Sequence, residues 1–373
     1  MQLESLKVTN FRNIRSTVIR PSEGVNVFFG DNGSGKTNLL EAIFCLCLGR
    51  SQRGARDIMM VGDGREREDS AEPHDFFHLE GIGRVGGGEV RLSCAYQKGG
   101  RKKITIDDNP ARVSRLFQHF SLISIAPEDV ALFTGGPSLR RRFMDLHLSQ
   151  ASETYLANLT DYNKSLAQKN SFLKNNPGQE CPFDPLLVQF GSKIMASRQR
   201  YIHFLKAMAP GYYGQISGTD VKPEWPDFQF DYKPNVPFEK IDEISEVFQQ
   251  KLNASRRKEE ILETAVVGPH RDDIDFNICG FPARGYGSQG ELRSAAVGMM
   301  MGAANFLESR REEKPILLLD EIFAELDDKR RENLARLFSS FEQLFLTTAV
   351  NPPNGLLKNS RMYRIQQGEI VQE

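Results

Sequence analysis

The sequence predicts an α/β fold that combines a core sheet and flanking helices with an antiparallel meander and a mainly helical second domain. Three observations support this prediction. Apolar, strand-like runs that end in polar turns occur near both ends of the chain, at 25–29 (VNVFF) and 316–320 (ILLLD). Alternating segments separated by glycine-rich turns lie between residues 76 and 107 and are typical of a meander. From about 138 to 209 the apolar residues recur with helical spacing, and a Pro- and aromatic-rich stretch at 210–238 is expected to interrupt the helices.

Composition sets the broad class of protein. The chain has 373 residues, of which 39% are hydrophobic and 26% charged, with a net charge of −1. No apolar run reaches the ~18–20 residues of a membrane span, and the charged, alternating N-terminus is unlike a signal peptide. The five cysteines include no CxxC pair, so neither a zinc site nor a disulfide framework is predicted. We therefore expect a cytoplasmic protein whose contacts with nucleic acid, if any, are made by local basic patches.

The segment GDNGSGKT has the spacing of a phosphate-binding loop and lies between a predicted strand and a predicted helix, Thr37 to Leu48. Glycines let backbone N–H groups turn towards phosphates, aided by the positive end of the helix. Lys36 would reach the β- and γ-phosphates, and the Thr37 hydroxyl would bind Mg²⁺. The alternative is a glycine turn with an incidental lysine. The predicted nucleotide-binding residues here are Gly30, Asp31, Asn32, Gly33, Ser34, Gly35, Lys36 and Thr37.

A second motif supplies acidic groups. The run ILLLDE at 316–321 is typical of a strand buried in a parallel sheet that ends in carboxylates. Asp320 would hold Mg²⁺, and Glu321 would polarise the attacking water as a general base, so Glu321 and Lys36 are the predicted catalytic residues. The alternative is a strand-end acid that accepts hydrogen bonds from neighbouring backbone.

A third motif, SQGELR at 288–293, precedes the acidic strand and opens a predicted helix. Alone it is weak, because an N-cap serine gives the same pattern. Together with the acidic strand and AELD at 324–327, and without a guanine-reading N-K-x-D, it resembles the ABC-type ATPases. The resemblance implies a P-loop ATPase head with a mixed core sheet, and two subunits that bury two ATP molecules between them. Ser288 and Gly290 of one subunit would then cap the γ-phosphate held by the other.

Further motifs resemble the RecF family, which is related to the SMC and Rad50 heads. Two positions depart from the family pattern. Glu291 stands where glutamine is usual, and Glu321 where a second aspartate is common. Thr347-Thr348 replaces the γ-phosphate-sensing histidine of other ABC-type enzymes, a replacement that the RecF family shares and that implies slow hydrolysis. The matching segments are NFRNI (10–14), GDNGSGKTNLLEAI (30–43), LGRSQR (48–53), APEDVALFTGGPSLRRRFMD (126–145), VGPHRDDI (267–274), SQGELR (288–293) and LLLDEIFAELD (317–327).

The resemblance implies an ATP-dependent homodimer that binds duplex DNA next to single-strand gaps, hydrolyses ATP weakly and slowly, and promotes recombinase loading with RecO and RecR. It also implies a cytoplasmic protein that is associated with the nucleoid when bound to DNA. The ATPase lobe would comprise residues 1–127 and 295–373, and the mainly helical arm with the SQGELR motif residues 128–294. The alternatives are another SMC-like clamp head or an ABC transporter ATPase subunit.

Basic clusters on predicted helices are candidate DNA contacts, because lysine and arginine bind phosphates without reading sequence. The alternative for each cluster is a solvated helix face. Within GPHRDD, His270 and Arg271 are predicted to relay dimer closure, unless His270 and Asp272 serve only to pin the arm by hydrogen bonds. Arg12 is a further candidate nucleotide contact. The candidate DNA contacts are Arg140, Arg141, Arg142, Arg198, Arg200, Arg256, Arg257 and Lys258.

Overall fold

Two compact units make up the chain in a computed structural model. The first comprises Met1–Asp129, Gln215–Thr219 and Leu307–Glu373, and the second Val130–Gly214 and Asp220–Phe306. The polar, turn-rich segment 62–75 (GDGREREDSAEPHD) is predicted from the sequence to be a surface loop, and most of it lies outside the described residues. The structure describes residues 1–62, 75–176, 178–218, 227–324, 326–350, 353–357 and 360–372.

The strands of the described residues form three sheets, two in the first unit and one in the second. In chain order they are β1 (Gln2–Phe11), β2 (Ile14–Ile19), β3 (Val25–Phe29), β4 (Phe76–Val85), β5 (Gly88–Gln97), β6 (Lys103–Ile106), β7 (Asn109–Pro110), β8 (Leu122–Ile125), β9 (Phe228–Lys233), β10 (Asp273–Ile278), β11 (Phe281–Pro282), β12 (Ile316–Asp320), β13 (Leu344–Thr348), β14 (Arg361–Gln366) and β15 (Glu369–Gln372).

The helices range from single turns to long rods, and none in the described part of the chain combines the length and apolar composition that a membrane span requires. In chain order they are α1 (Lys36–Leu48), α2 (Val113–Leu116), α3 (Ala131–Thr134), α4 (Pro137–Ala151), α5 (Glu153–Asn175), α6 (Asp184–Ser217), α7 (Ile244–Leu262), α8 (Ala283–Tyr286), α9 (Gln289–Arg311), α10 (Asp328–Phe338) and α11 (Asn354–Leu357), with 3₁₀ turns at Asp57–Met60, Pro127–Val130, Ile241–Glu243 and Pro269–Arg271.

The core sheet of the first unit has the order β15-β14-β3-β13-β12-β8. All its pairings are parallel except that of β14 with β15. Every residue of β12 and β13 is buried, as expected for central strands covered on both faces. Because the strands are parallel, β3, β8, β12 and β13 all end at the same edge, where ligands of open α/β sheets bind.

The second sheet of this unit is antiparallel, in the order β2-β1-β4-β5-β6-β7, and includes the predicted meander. Helix α1 contacts strands of both sheets. Its residues are buried on nearly every side, which explains why its sequence is apolar all round rather than along one stripe. The helix that follows the glycine loop is therefore fixed by the core of the unit.

The second unit is mainly helical and contains the small antiparallel sheet β11-β10-β9. Buried ion pairs link its long helices. Lys169 on α5 lies 2.7 Å from a carboxylate oxygen of Asp184 on α6 and 2.6 Å from one of Glu259 on α7.

The predicted interruption from residue 210 is wrong at its start, because α6 continues through Pro210. Proline inside a helix removes one hydrogen bond and costs ~3 kcal/mol. Ala209 and Tyr213 on either side are almost completely buried, so the packed face of the helix continues past the proline. The burial of this face offsets the lost hydrogen bond.

Candidate functional site

The glycine loop leaves the end of β3 and turns sharply into α1. Gly30 has a φ of 154°, and a Cβ atom there would lie 2.1 Å from the carbonyl oxygen of Ile365 on β14. Gly35 has a φ of 114°, and its Cβ would lie 2.8 Å from Oδ1 of Asn13. Only glycine fits at these two positions, because any side chain would collide with the segments that enclose the loop.

The turn NFRN supports the loop from the other side. Asn13 lies in the turn between β1 and β2, and its Oδ1 accepts a 2.8 Å hydrogen bond from Asn38 on α1. Arg12 donates from Nε and Nη2 to the buried carboxylate of Glu41, at 3.0 and 3.1 Å, and from Nη1 to the Met59 carbonyl at 2.6 Å. These contacts occupy Arg12 on the flank of α1. Its predicted contact with nucleotide stays a prediction.

Lys36 is 5% exposed and lies inside the loop. Its Nζ donates to the carbonyls of Gly30 and Asp31 at 2.8 and 3.0 Å, and lies 3.1 Å from Oε1 of Glu321. The lysine and the carboxylate that the sequence assigned to catalysis are therefore brought together from opposite ends of the chain.

Asp320 ends β12 and receives two hydroxyl donors. Thr37 Oγ1 donates to its Oδ1 at 2.9 Å, and Thr347 Oγ1 donates to the same oxygen at 2.6 Å. Burial raises the pKa of Asp320, while the hydrogen bonds from the two threonines oppose this rise. The carboxylate is thus a buried acceptor that a cation would stabilise.

Glu321 is held at both carboxylate oxygens. Besides Oε1, which faces Lys36, its Oε2 accepts a 2.9 Å hydrogen bond from the backbone N–H of Ala349. Its φ of 47° lies in the left-handed region, which non-glycine residues rarely adopt, and its N–H donates to Thr347 at 3.1 Å. Backbone strain of this kind is typical of functional positions.

The remaining residues of the loop complete the site. Asp31, Asn32 and Gly33 are exposed, whereas Ser34 is buried. Ser34 Oγ has no hydrogen-bond partner among the described residues. A buried hydroxyl without a partner is costly, so it points to a polar ligand in the loop.

The predicted signature motif lies in the second unit, where Ser288 immediately precedes α9. Ser288 is exposed and Gly290 is partly exposed. The Ser288 hydroxyl donates to Oε2 of Glu291 at 2.7 Å, and the Ser288 N–H donates to the same oxygen at 2.8 Å. The pair forms a capping box at the N-terminus of the helix.

Two of the candidate DNA contacts are corrected by the structure. Arg198 is 2% exposed and lies 2.7 Å from Asp272 Oδ2 and 2.8 Å from Asp145 Oδ1. Arg140 is 6% exposed and pairs with Asp273 through both Nε and Nη2. Both guanidinium groups are used inside the second unit, so neither is available to a DNA phosphate.

The other basic candidates differ in exposure. Arg141 donates to the Asp272 carbonyl at 2.9 Å, and burial lowers the pKa of Arg141 and of Arg142. The exposed candidates are Arg200, Arg257, Lys258 and Arg256, of which Arg256 pairs with Glu180 at 2.8 Å.

The GPHRDD motif lies among these ion pairs. His270 Nε2 donates to the Ala265 carbonyl at 3.1 Å, so Nδ1 accepts from the Tyr162 hydroxyl at 2.6 Å. Burial lowers the pKa of His270 to about 4, which leaves the ring neutral near pH 7. Arg271 also donates to Ala265, at 3.1 Å. These contacts fit a structural pin, and a role in relaying dimer closure stays a prediction.

Thr347 and Asn13 are site residues whose roles the sequence reading did not assign. Thr347 is paired in register with Asp320 on the neighbouring strand, which places its hydroxyl on the carboxylate. The sequence does indicate this position, because the apolar strand LFLTT ends in two hydroxyl residues. Asn13 lies in NFRNI, a motif in which the sequence indicates only a resemblance to the RecF family.

The comparisons with known proteins agree with this geometry. Residues 2–370 match the model of the RecF/RecN/SMC N-terminal domain. The DNA replication and repair protein RecF of Streptococcus pneumoniae (strain CGSP14) is 33% identical over an alignment of 376 positions, which covers 100% of this chain and 99% of the relative. The protein of the same name from Streptococcus gordonii (strain Challis) is 33% identical over an alignment of 382 positions, which covers 99% of this chain and 100% of the relative.

Solved structures give the same result. The structure described as the recombination mediator protein RecF-ATPrS in the RecFOR pathway has a TM-score of 0.86 at 30% identity, covering 99% of this chain and 97% of that one. The corresponding RecF-ATP structure has a TM-score of 0.87 at 28% identity, with 100% and 97% covered. An SMC head bound to a domain of ScpA shares the fold, with a TM-score of 0.56 at 15% identity.

Fold and site together define an ATPase head of the ABC and SMC type, and the predicted fold class is confirmed. The chain belongs to the RecF family. Because the similarity to RecF proteins runs the whole length of the chain, it favours this family over a transporter subunit or another SMC-like clamp head.

Proposed function

We propose that the protein is a DNA replication and repair ATPase that dimerises when it binds ATP, grips DNA in the dimeric form and releases it after slow hydrolysis. One observation carries the proposal. Lys36, Thr37, Asp320 and Glu321 come together at one edge of the core sheet, at the end of the glycine loop. These are the groups that phosphoryl transfer requires, since its catalysis is almost entirely positioning and electrostatic stabilisation.

The loop fits a nucleoside triphosphate. Ser34 Oγ is a buried hydroxyl without a partner in the described part of the chain, and the Lys36 ammonium faces the enclosed space of the loop together with two carbonyls. A triphosphate would give both groups an anionic partner. The family relatives described as RecF-ATP support ATP as this ligand.

The residues also fit Mg²⁺. Thr37 Oγ1 and Asp320 Oδ1, 2.9 Å apart, are hard oxygen ligands of the kind that Mg²⁺ prefers. When bound, the ion would neutralise charge on the phosphates. Thr347 would hold the Asp320 carboxylate in position from the other side.

Glu321 would act as the general base. In the present arrangement its carboxylate is neutralised by Lys36. Once the lysine pairs with phosphate, the carboxylate is freed to orient a water molecule, and the Ala349 N–H continues to fix its position. Threonine at 347 and 348 offers no imidazole to sense the γ-phosphate, in line with slow turnover.

Dimerisation would place the exposed Ser288 and Gly290 of one subunit on the triphosphate of the other. ATP would favour the closed dimer, because ADP lacks the γ-phosphate that Ser288 recognises. In this proposal residues 1–127 and 295–373 carry the nucleotide, and residues 128–294 act as the arm that presents Ser288.

DNA would be bound across the dimer by exposed basic residues, of which Arg200, Arg257 and Lys258 remain candidates. Duplex next to a single-strand gap is the proposed substrate, and RecR and RecO the proposed partners, in line with relatives assigned to the RecFOR pathway. The protein would act in the cytoplasm, on the nucleoid when bound to DNA.

The test is the mass of the protein in solution with ADP, with ATP, and with ATP plus duplex DNA. We expect a monomer with ADP and a dimer with ATP. Lys36→Arg should abolish the ATP-driven dimer, because a guanidinium does not fit the 5%-exposed site of the ammonium. Lys164→Arg, at an exposed position on α5, is the matched control. A dimer that forms equally in the Lys36 variant would overturn the proposal.

A further inference from the structure

The signature serine is occupied by its own chain. Ser288 Oγ donates its proton to Oε2 of Glu291 at 2.7 Å, and the Ser288 N–H donates to the same oxygen at 2.8 Å. In return the Glu291 N–H donates to Ser288 Oγ at 3.4 Å. Ser288 is exposed and Glu291 partly exposed, so the contact lies at the surface that a second subunit would meet.

A hydroxyl has only one proton to donate. While that proton is shared with a carboxylate, it is unavailable to a phosphate oxygen, and hydrogen bonds to an ionised acceptor are the stronger ones. The positive end of α9 further stabilises the Glu291 carboxylate at this position. The same carboxylate would repel a γ-phosphate that approached Ser288, because the two groups carry like charges at short distance.

We propose that Glu291 is a positioning residue that competes with the γ-phosphate for the Ser288 hydroxyl and so weakens ATP-driven dimerisation. The inference rests on the proposed function, in which Ser288 caps the triphosphate of a second subunit. The closed dimer forms only when the Glu291 side chain turns away from Ser288. The cost of breaking this contact is therefore subtracted from the free energy of ATP-driven dimerisation.

Glu291→Gln separates charge from helix capping. The amide oxygen of glutamine still accepts from the Ser288 N–H, so the cap is kept while the negative charge is removed. We expect the variant to dimerise roughly tenfold more tightly at saturating ATP, with no change with ADP. The gain should shrink as salt is raised, because screening weakens the repulsion in the wild type. A purely structural role would change neither the ATP dependence nor the salt dependence.

The experiment measures the dimer dissociation constant by sedimentation with ATP and with ADP, at low and high salt. Glu153→Gln is the matched control, since it neutralises an exposed glutamate in the first turn of another helix, α5. This control should leave the dimer dissociation constant unchanged both with ATP and with ADP. A Glu291→Gln protein that dimerises no more tightly than the wild type overturns the inference.

Ser288→Ala distinguishes the two levels of the proposal. If this variant dimerises with ATP as well as the wild type does, the capping role of Ser288 is wrong, and the inference about Glu291 falls with it. If Ser288→Ala abolishes the dimer while Glu291→Gln has no effect, the proposed function stands and only the competition by Glu291 is refuted. Loss of the dimer in Ser288→Ala with a gain in Glu291→Gln supports both.

Discussion

Oε1 of Glu321 lies 3.1 Å from Nζ of Lys36, so the proposed base and the proposed phosphate-binding lysine neutralise one another within the candidate site. The ammonium is 5% exposed and the carboxylate is also anchored by the Ala349 N–H. A phosphate that enters the loop must take the lysine from the glutamate. In the proposed mechanism, binding of nucleotide would thus also release the base.

Glu321→Gln should therefore raise the affinity for ATP and slow its hydrolysis. The amide does not compete with phosphate for Lys36, and it cannot accept a proton from water, which should lower turnover by roughly 100-fold or more. ATP should then trap the protein as a closed dimer. Phosphate release measures the loss of turnover, and light scattering measures dimer formation. A variant that stays monomeric with saturating ATP would contradict the expectation.

Thr347→Val should impair Mg²⁺-dependent turnover with little change in fold. Valine keeps the shape of threonine but removes the 2.6 Å hydrogen bond to Asp320, which is worth about 1–3 kcal/mol for a charged acceptor. We expect a higher Mg²⁺ requirement in a steady-state ATPase titration. Thr348→Val is the control, because Thr348 is equally buried yet donates to the Val350 carbonyl instead. Equal effects of both substitutions would argue against a specific role of Thr347.

His270 makes stability depend on pH. Burial, with the nearby charges of Arg271, Arg141 and Lys169, lowers its pKa to about 4, against about 6.5 in the unfolded chain. The fold favours the neutral ring. The stability that His270 adds to the folded protein is therefore fully present above pH 6.5 and is lost as the pH falls towards 4. The free energy of unfolding should fall by about 2–3 kcal/mol more in the wild type than in His270→Gln over this range.

Urea titrations of both proteins at pH 7.5 and pH 4.5 measure that difference. The same two proteins also test the proposed relay. If His270→Gln dimerises normally with ATP once its stability is accounted for, the residue is a structural pin only. A variant of unchanged stability that fails to dimerise would establish the relay.

Arg198→Ala should destabilise the second unit by about 3–5 kcal/mol, because it leaves Asp272 and Asp145 without their charged partner. The structure makes this a stability residue, and thermal unfolding monitored by circular dichroism measures the loss. Arg200→Ala, two positions along the same helix and exposed, should change the unfolding free energy by less than about 0.5 kcal/mol. A fully stable Arg198→Ala protein with weaker DNA binding would reverse this assignment.

Arg257→Ala combined with Lys258→Ala should weaken DNA binding by the ATP-bound protein without affecting its melting temperature. Both side chains are exposed on α7, so they are free to meet phosphates. Removing two phosphate contacts should reduce the slope of log affinity against log salt by about two. Fluorescence anisotropy with a gapped duplex at several salt concentrations measures the slope, and an unchanged slope would exclude this helix from the interface.

The sequence predicted the parts of the site that depend on local spacing. The geometry of the glycine loop depends on a strand, a turn and a helix that follow one another along the chain. The strand ILLLDE is likewise recognisable from consecutive residues. The roles proposed for Asp320 and Lys36 could thus be predicted without knowledge of the tertiary structure. The hydroxyl of Thr347 was not, since its role depends on which strand pairs with β12 and in which register.

The prediction that Arg140 and Arg198 contact DNA was the main error of the sequence analysis, because both side chains are buried. Arg140 and Arg198 lie on helices rich in polar residues, where an exposed and a buried guanidinium look alike. Their partners Asp273 and Asp272 follow 133 and 74 residues later. Contacts of such separation are decided by packing, which no local pattern encodes. The family-specific motifs RRRFMD and GPHRDD are therefore largely the two halves of one ion-pair network.

The place of β3 in the sheet has a consequence for biosynthesis. Its two neighbours, β13 and β14, leave the ribosome more than 300 residues after it, and Gly30 packs on the Ile365 carbonyl of β14. The glycine loop of a nascent polypeptide is synthesised early, but the strands that flank β3 follow more than 300 residues later. Such long-range pairing slows folding. A partly synthesised chain therefore holds the loop without the strands that enclose it.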